Sequence, residues 1–394
     1  MKTRIVSALA AGTAAEAVDA VSTKVTKQFE GASPKLMLAF ASTAQPLAEV
    51  ARLLTARFPG TVTLAASTAG EFTEAGDAKS SLALFALDGD YRVFAGLGEG
   101  LKASPENAVN AALEGLPREL HGYAHRTALM LLDPLAGRGE EAALLAATLL
   151  GEDVPLAGGA AGDDLKMREA WVACGAHAAV DSVTIALIFS KTPLGVGVCH
   201  GHRPLSPPLR VTKAEAGTVI SVEGRPAWEV WKEHTRANAA AAGYDLDNLA
   251  PEAEGSFLLR YEAGLSAGDG YKIRAPLSRN ADGSINFACG IPEGAVIRIT
   301  ESDGKSQLAS AREAARRARA RLGGGAVAGA LVFDCICRNL ILGDEFAQAV
   351  RGISDELGGV PLAGFETYGE IALDAGDLSG FHNTTSVVLA FPDS

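Results

Sequence analysis

The sequence predicts an α/β protein of two domains, built on repeated strand-helix-strand units, with a β-rich section in the second domain. Two observations carry that expectation. One segment is written three times: an apolar strand, a helix, a return strand and a small-residue turn ending in Gly and an acid, followed by another apolar strand. The turns run Leu64–Glu71, Leu156–Asp163 and Leu362–Glu370, and their opening strands begin near Leu36, Ala128 and Leu331. Between the second and third copies the composition shifts to short, glycine-spaced strands. At 394 residues the chain exceeds one ordinary core, and the expected domains are residues 1–190 and 191–394.

The elements follow in order. Met1–Gly12 has a faint signal-peptide character, but Val18, Val21, Val25 and Phe29 fall at helical spacing, so the segment is expected to flow into an amphipathic helix. Lys35–Ala41 is nearly all apolar, as a strand covered on both faces must be. Leu47, Val50, Leu54 and Phe58 mark a helix face, Thr61–Ala65 returns to the sheet, and Ser81–Leu87 is expected to form a hairpin with Tyr91–Ala95. The second copy runs Thr127–Asp133, a helix opened by Glu140 and Glu141, Val154–Ala157 and Val183–Phe189. The third runs Gly329–Cys335, a helix faced by Phe346, Val350, Ile353 and Leu357, Val360–Ala363 and Ser386–Phe391. Between them, Arg210–Lys213 and Thr218–Glu223 read as a hairpin, Arg225–Trp231 as a helix start, and Phe257–Tyr261, Tyr271–Arg274, Ser284–Phe287 and Val296–Thr300 as strands.

Bulk numbers exclude several classes. The chain is 48% hydrophobic, with no apolar run long enough for a membrane span. A net charge of −12 argues against nucleic-acid or anionic-membrane partners. The basic run Arg312–Arg321 reads as a solvated helix. Five cysteines show no disulfide framework, and Cys335-x-Cys337 is too close for a zinc knuckle. These features together point to a cytoplasmic protein. Phosphate-loop, dinucleotide and GxSxG patterns are absent, Ser67 lies in Ala66-Ser-Thr-Ala-Gly70, and no enzyme activity is expected.

The chain resembles the FIST family, an N-terminal FIST domain followed by a C-terminal one. The matching segments include Ser67–Glu71, Pro155–Asp163, His200–Pro204, Gly224–Ala227, Ile291–Gly294, Phe333–Arg338, Pro361–Glu370 and Phe381–Thr384. The resemblance implies a sensory module for small molecules, working with a histidine kinase or another signalling protein. Stand-alone members similar to this chain in length bind haem and sense nitric oxide; amino-acid-like ligands are the other implied class. A haem-dependent nitric oxide sensor is therefore the leading expectation, with haem b held non-covalently. A haem-free sensor of a small organic ligand such as an amino acid is the alternative.

Three constellations are candidates. His200 and His202 sit two apart on an expected strand, beside the small residues Gly195–Val198, and with His382 are the candidate iron ligands. Polar loop histidines are the plainer reading. Arg338, at the end of an apolar strand, is either a carboxylate-binding fork or the partner of Glu370 or Asp334; Arg274 carries the same ambiguity. Gly364, Phe365, Thr367, Tyr368 and Glu370 are expected to line a crevice with Arg338, because ligands of open α/β sheets sit beyond strand carboxyl ends. Asp133 could line a similar crevice. Asp163, like Glu71, is either a binding acid or simply part of a tight turn.

Overall fold

The computed structural model describes residues 2–267, 270–373 and 380–394. All three repeats form the same unit of strand, helix and parallel strand. They are Leu36–Ala41, Leu47–Arg57 and Val62–Ser67; His125–Leu132, Gly139–Leu150 and Leu156–Ala160; Val327–Cys335, Phe346–Leu357 and Leu362–Thr367. Leu36 pairs beside Val62, Ala128 beside Leu156 and Ala330 beside Leu362. Leu36–Ala41 is buried along its whole length, as its unbroken apolar run requires. The helix Leu47–Arg57 turns Leu47, Val50, Ala51 and Leu54 onto the sheet. The helix Phe346–Leu357 does so with Phe346, Val350, Ile353 and Leu357 and stops at Gly358, which takes the left-handed conformation (φ 88°) that ends helices.

Each unit gains two antiparallel strands on either side, giving three six-stranded sheets with one common order. The first runs Arg4–Ala11, Ser81–Asp88, Leu36–Ala41, Val62–Ser67, Val172–Cys174, His177–Ala179. The second runs Arg92–Glu99, Ser182–Ser190, His125–Leu132, Leu156–Ala160, Glu370–Leu373, Phe381–His382. The third runs Gly195–His200, Thr385–Pro392, Val327–Cys335, Leu362–Thr367, Glu71–Thr73, Gly76–Ala78. In every sheet the last two strands come from a different repeat. Val172 pairs with Ala66, Glu370 with Gly159, and Glu71 with Phe365. The exchange is cyclic, so each repeat caps the exposed edge of another and none can leave without opening a sheet. The three turns interlock through the backbone: Gly162 N–H donates to Ser67 O at 2.8 Å, Ala160 N–H to Gly369 O at 2.7 Å, and Glu366 N–H to Gly70 O at 2.8 Å.

The inner faces of the three sheets share one core containing Phe40, Phe85, Leu131, Ile188, Phe333, Phe365 and Leu389. Phe365 stacks on Phe40 at 4.6 Å between ring centroids. Separate apolar layers lie between each sheet and its helices. The β-rich section is a nine-stranded sheet between Arg203 and Glu301 with its own core around Trp228, Trp231, Phe257 and Tyr261. No helix among the described residues is long and apolar enough to cross a membrane.

Three local expectations are corrected. Ser81–Asp88 does not pair with Arg92–Glu99; the two join different sheets, because each repeat opens with an outer strand of its own. Residues Arg4–Ala11 are that strand for the first repeat, and the helix starts only at Thr13, whose side chain forms a capping box with Glu16. Phe257–Tyr261 is the end of a helix, Pro251–Arg260, with Pro251 in its first turn and Glu252 and Glu254 favoured at its N-terminus. A short apolar run fits either period, and the first-turn residues upstream decide it.

Candidate functional site

His200 and His202 are engaged in holding the β-rich section to the third sheet, and His382 is engaged within the second. The strand ends at His200, so His202 does not share its face. His200 donates from Nε2 to Tyr271 O at 3.2 Å and accepts His202 N–H on Nδ1 at 3.2 Å. Thr300 Oγ1 donates to Glu262 O, so His202 Nδ1, 3.1 Å away, is the donor to Thr300. His202 Nε2 then faces Glu262 Oε2 at 3.6 Å, with both side chains fully enclosed. Burial holds His202 well below the usual imidazole range and Glu262 well above the carboxylate range, so it favours the neutral form of each. His382 bonds through Nε2 to Ala372 O at 3.1 Å and is pushed down to about 4 by burial.

These residues do not fit haem. The small residues of Gly195–His200 admit the helix Gly304–Ala320 instead. A Cβ on Gly195 would lie 1.9 Å from Ala318 O, and one on Gly197 2.0 Å from Ala314 O. Among the described residues no cluster of three or more His, Cys, Asp or Glu is placed to hold a metal ion.

Arg338 is not at a strand end but inside the short helix Ile336–Leu342, fully buried. Its Nε donates to Asp334 Oδ1 at 2.7 Å, Nη1 to Ser310 Oγ at 2.7 Å and to Gln307 Oε1, and Nη2 to Gln307 O at 3.1 Å. It clamps the helix Gly304–Ala320 to the third sheet and does not meet Glu370. The expected crevice at the third turn is solid. A Cβ on Gly364 would sit 2.3 Å from Val332 O, Phe365 is core, and Thr367 and Glu370 are enclosed. Glu370 accepts Thr367 Oγ1 on Oε1 and Thr385 N–H on Oε2. Glu71 repeats the device with Thr68 Oγ1 and with the N–H and hydroxyl of Ser81. These two turn acids thus tie their turns to the first residue of the closing strand. Burial pushes Glu71 up to about 7 and Glu370 well above the usual range.

Arg274 is also enclosed, bonded from Nη2 to Glu140 Oε1 at 2.5 Å. Asp133 caps the turn Pro134–Ala136 through Leu135 N–H at 2.8 Å and accepts Asp181 N–H at 2.6 Å. The sequence also gave no sign of Glu366, whose burial pushes it up to about 8 and whose Oε1 accepts Asn339 Nδ2.

Open space lies instead at the carboxyl ends of the first repeat's strands. A cleft of about 520 Å³ is lined by Ser42–Thr43, Gln45–Ala48, Ser67, Asp163, Lys166, Arg168, Glu169 and Trp171. The helix Leu47–Arg57 points its N-terminus there behind Pro46, with no side-chain cap. The first-turn amides of Leu47 and Ala48 find no acceptor among the described residues, and the macrodipole makes that end attractive to anions. The exposed Arg168 guanidinium has no hydrogen-bond or ion-pair partner among the described residues. Gln45 Nε2 donates to two carbonyls, Gly12 O at 2.6 Å and Ser80 O at 2.9 Å, which fixes the amide orientation. Its Oε1 is left buried without a donor. Trp171 forms a wall.

Asp163 and Tyr368, both expected at a site, meet behind this cleft. Tyr368 Oη donates to Asp163 Oδ1 at 2.6 Å. Asp163 also accepts the N–H groups of Met167, Arg168 and Glu169. Burial alone would raise the Asp163 carboxyl, but these donors, Arg168 N–H first, hold it below its usual value. Its acceptor positions are filled, so it shapes the loop rather than facing a ligand. Gln45, Arg168 and the helix start were missed because they lie on no repeated motif. The only sequence signal was the polar crossover loop Ser42-Thr-Ala-Gln-Pro46 after a buried strand.

This architecture defines a two-part α/β protein: a threefold ring of interlocked sheets with an inserted β-rich section. Residues 35–225 match the FIST N domain and residues 227–373 the FIST C domain, so the chain belongs to the FIST family, which supports a sensory, ligand-binding role. It is similar to an uncharacterized protein of Mycobacterium tuberculosis strain H37Rv, 29% identical over 207 residues, which make up 50% of each chain. It is also similar to one of Mycobacterium bovis, 30% identical over 207 residues with the same coverage. The chain spans about half the length of the curated relatives it matches.

Proposed function

We propose that this protein senses a small organic ligand of the amino-acid class, bound in the first-repeat cleft without haem. One observation carries the reading: an uncapped helix start, an arginine with no partner among the described residues, and Gln45, whose buried Oε1 lacks a donor, line one cleft. A ligand carboxylate suits the Leu47 and Ala48 amides and the Arg168 fork, and its ammonium suits Gln45 Oε1. The site acts by binding and not by catalysis. The Ser67 hydroxyl is engaged, donating to Gly162 O at 2.7 Å and accepting Trp171 N–H at 2.8 Å, so it is not poised as a nucleophile. A cytoplasmic location agrees with five cysteines that are all free. The family relation favours a signalling partner, such as a histidine kinase, contacted directly. The haem-dependent nitric oxide reading draws no support from His200, His202 or His382.

A thermal-shift screen of amino acids tests this. A ligand that binds only the native state raises Tm, and Arg168→Ala should remove that rise. Absence of any rise across the amino acids, or a full rise in Arg168→Ala, would defeat it. A Soret band in the purified protein would revive the haem reading.

A further inference from the structure

The donors of the cleft fall into two sets, and one of them is already occupied by the chain itself. Ser42 Oγ at 3.2 Å, Thr43 N–H at 3.0 Å and Thr43 Oγ1 all converge on a single oxygen, Asp164 Oδ2. Lys166 Nζ stands 3.7 Å from the same atom. Ser42, Thr43 and Lys166 line the same cleft as Leu47, Ala48 and Arg168. The Asp164 carboxylate is thus a carboxylate held by three donors and a cation, a few residues from a second anion-seeking set that has none.

The loop that delivers it is not held by packing. Asp164, Leu165 and Met167 all take left-handed backbone conformations, with φ 55°, 61° and 53°, which Leu and Met rarely adopt. The Leu165 and Met167 side chains are 50% and 57% exposed. Polar contacts hold the loop in place: Asp164 on Ser42 and Thr43, Leu165 N–H on Tyr368 Oη at 2.8 Å, and the amides gathered by Asp163. Glu169, a third acid of the loop beside Asp163 and Asp164, accepts Trp171 Nε1 at 3.4 Å.

Resting on the reading of this cleft as the ligand site, we propose that its ligand is a dicarboxylate amino acid, and that Asp164 is a tethered competitor for the second carboxylate. The α-carboxylate takes the Leu47 and Ala48 amides and Arg168. The side-chain carboxylate takes Ser42, Thr43 and Lys166, displacing Asp164 and releasing the strained loop. Ligand binding is thereby coupled to movement of an exposed loop carrying Leu165 and Met167.

The test uses the full chain with L-glutamate and L-glutamine, which differ by one carboxylate against an amide. Affinity is read from calorimetry and from Trp171 fluorescence; the other two tryptophans, Trp228 and Trp231, are buried in the β-rich section. The variant is Asp164→Asn, because Asn tolerates the left-handed backbone while losing the competing charge. The expected results are tighter binding of glutamate than glutamine by the wild type and about a tenfold gain for glutamate alone in Asp164→Asn. Equal binding of the two ligands overturns the dicarboxylate assignment, as does unchanged or weaker glutamate binding in Asp164→Asn. If both ligands fail but another amino acid binds through Arg168, the inference falls and the cleft reading stands. If no amino acid binds, both fall.

Discussion

The first and third repeats share strand order, crossover and turn, yet their strand ends are finished in opposite ways. At the third, Arg338, Asp334, Gln307 and Ser310 fill the space between sheet and helix with a bonded, fully enclosed charge pair. At the first, the Gln45 side chain holds the backbone of Gly12 and Ser80, and the adjoining cleft keeps an uncapped helix and an arginine with no partner among the described residues. The contrast teaches that the repeat is a scaffold, while the polar chemistry at each strand end is separately assigned. An arginine there can be a fastening or a receptor, and only its partners tell which.

The contrast can be broken most forcefully at Arg338. Arg338→Ala leaves Asp334 buried and unpaired, and a loss of about 3–5 kcal/mol of stability is expected, seen as a large fall in Tm with ligand affinity intact in the folded fraction. A loss under about 1 kcal/mol with weakened binding would return Arg338 to the ligand site.

Arg168→Ala should do the reverse. Loss of one charged contact weakens ligand binding by about 1.5–3 kcal/mol, while the ligand-free Tm stays put because the side chain is exposed. Calorimetry and melting curves on one preparation read both.

The turn acids sharpen the scaffold side through pH. Glu71 is raised from 4.5 to about 7, mainly by burial. A folded carboxyl that holds its proton more tightly than the unfolded one stabilises the protein most at low pH. That contribution fades as pH rises from about 4.5 through about 7. Glu71→Gln should therefore flatten the dependence of Tm on pH across this window. An unchanged slope would mean that the Thr68 and Ser81 donors keep Glu71 ionised throughout. The smallest effect is expected from Gln45→Met, which keeps the length of the side chain and adds no charge but loses the amide donors to Gly12 and Ser80. A Tm decrease equivalent to about 1–3 kcal/mol checks it.

The crossovers were legible because they rest on local period: a fully apolar strand such as Leu36–Ala41 and a helix face such as Phe346–Leu357 announce themselves. The hairpin exchange was not, since Glu71–Thr73 is compatible with pairing in its own sheet and only tertiary closure sends it to the third. The site was least legible. The motif at the third turn drew attention to Phe365 and Glu370, but repetition marks what the scaffold needs, and these residues pack and tie the turns. Of the residues singled out there, Tyr368 alone reaches the cleft region, through Asp163. The cleft itself is made by bringing a crossover loop of the first repeat against the loop after the second turn, a juxtaposition that residue spacing does not encode.

The most direct measurement of the central claim is the ligand-induced change in Tm for the wild type, Arg168→Ala and Arg338→Ala in parallel. The expected result is a ligand-induced rise lost in Arg168→Ala, whose ligand-free Tm matches the wild type, and retained in Arg338→Ala, whose ligand-free Tm is strongly lowered. A rise retained in Arg168→Ala and lost in Arg338→Ala would contradict the assignment of the first-repeat cleft as the receptor and the third-repeat arginine as the fastening.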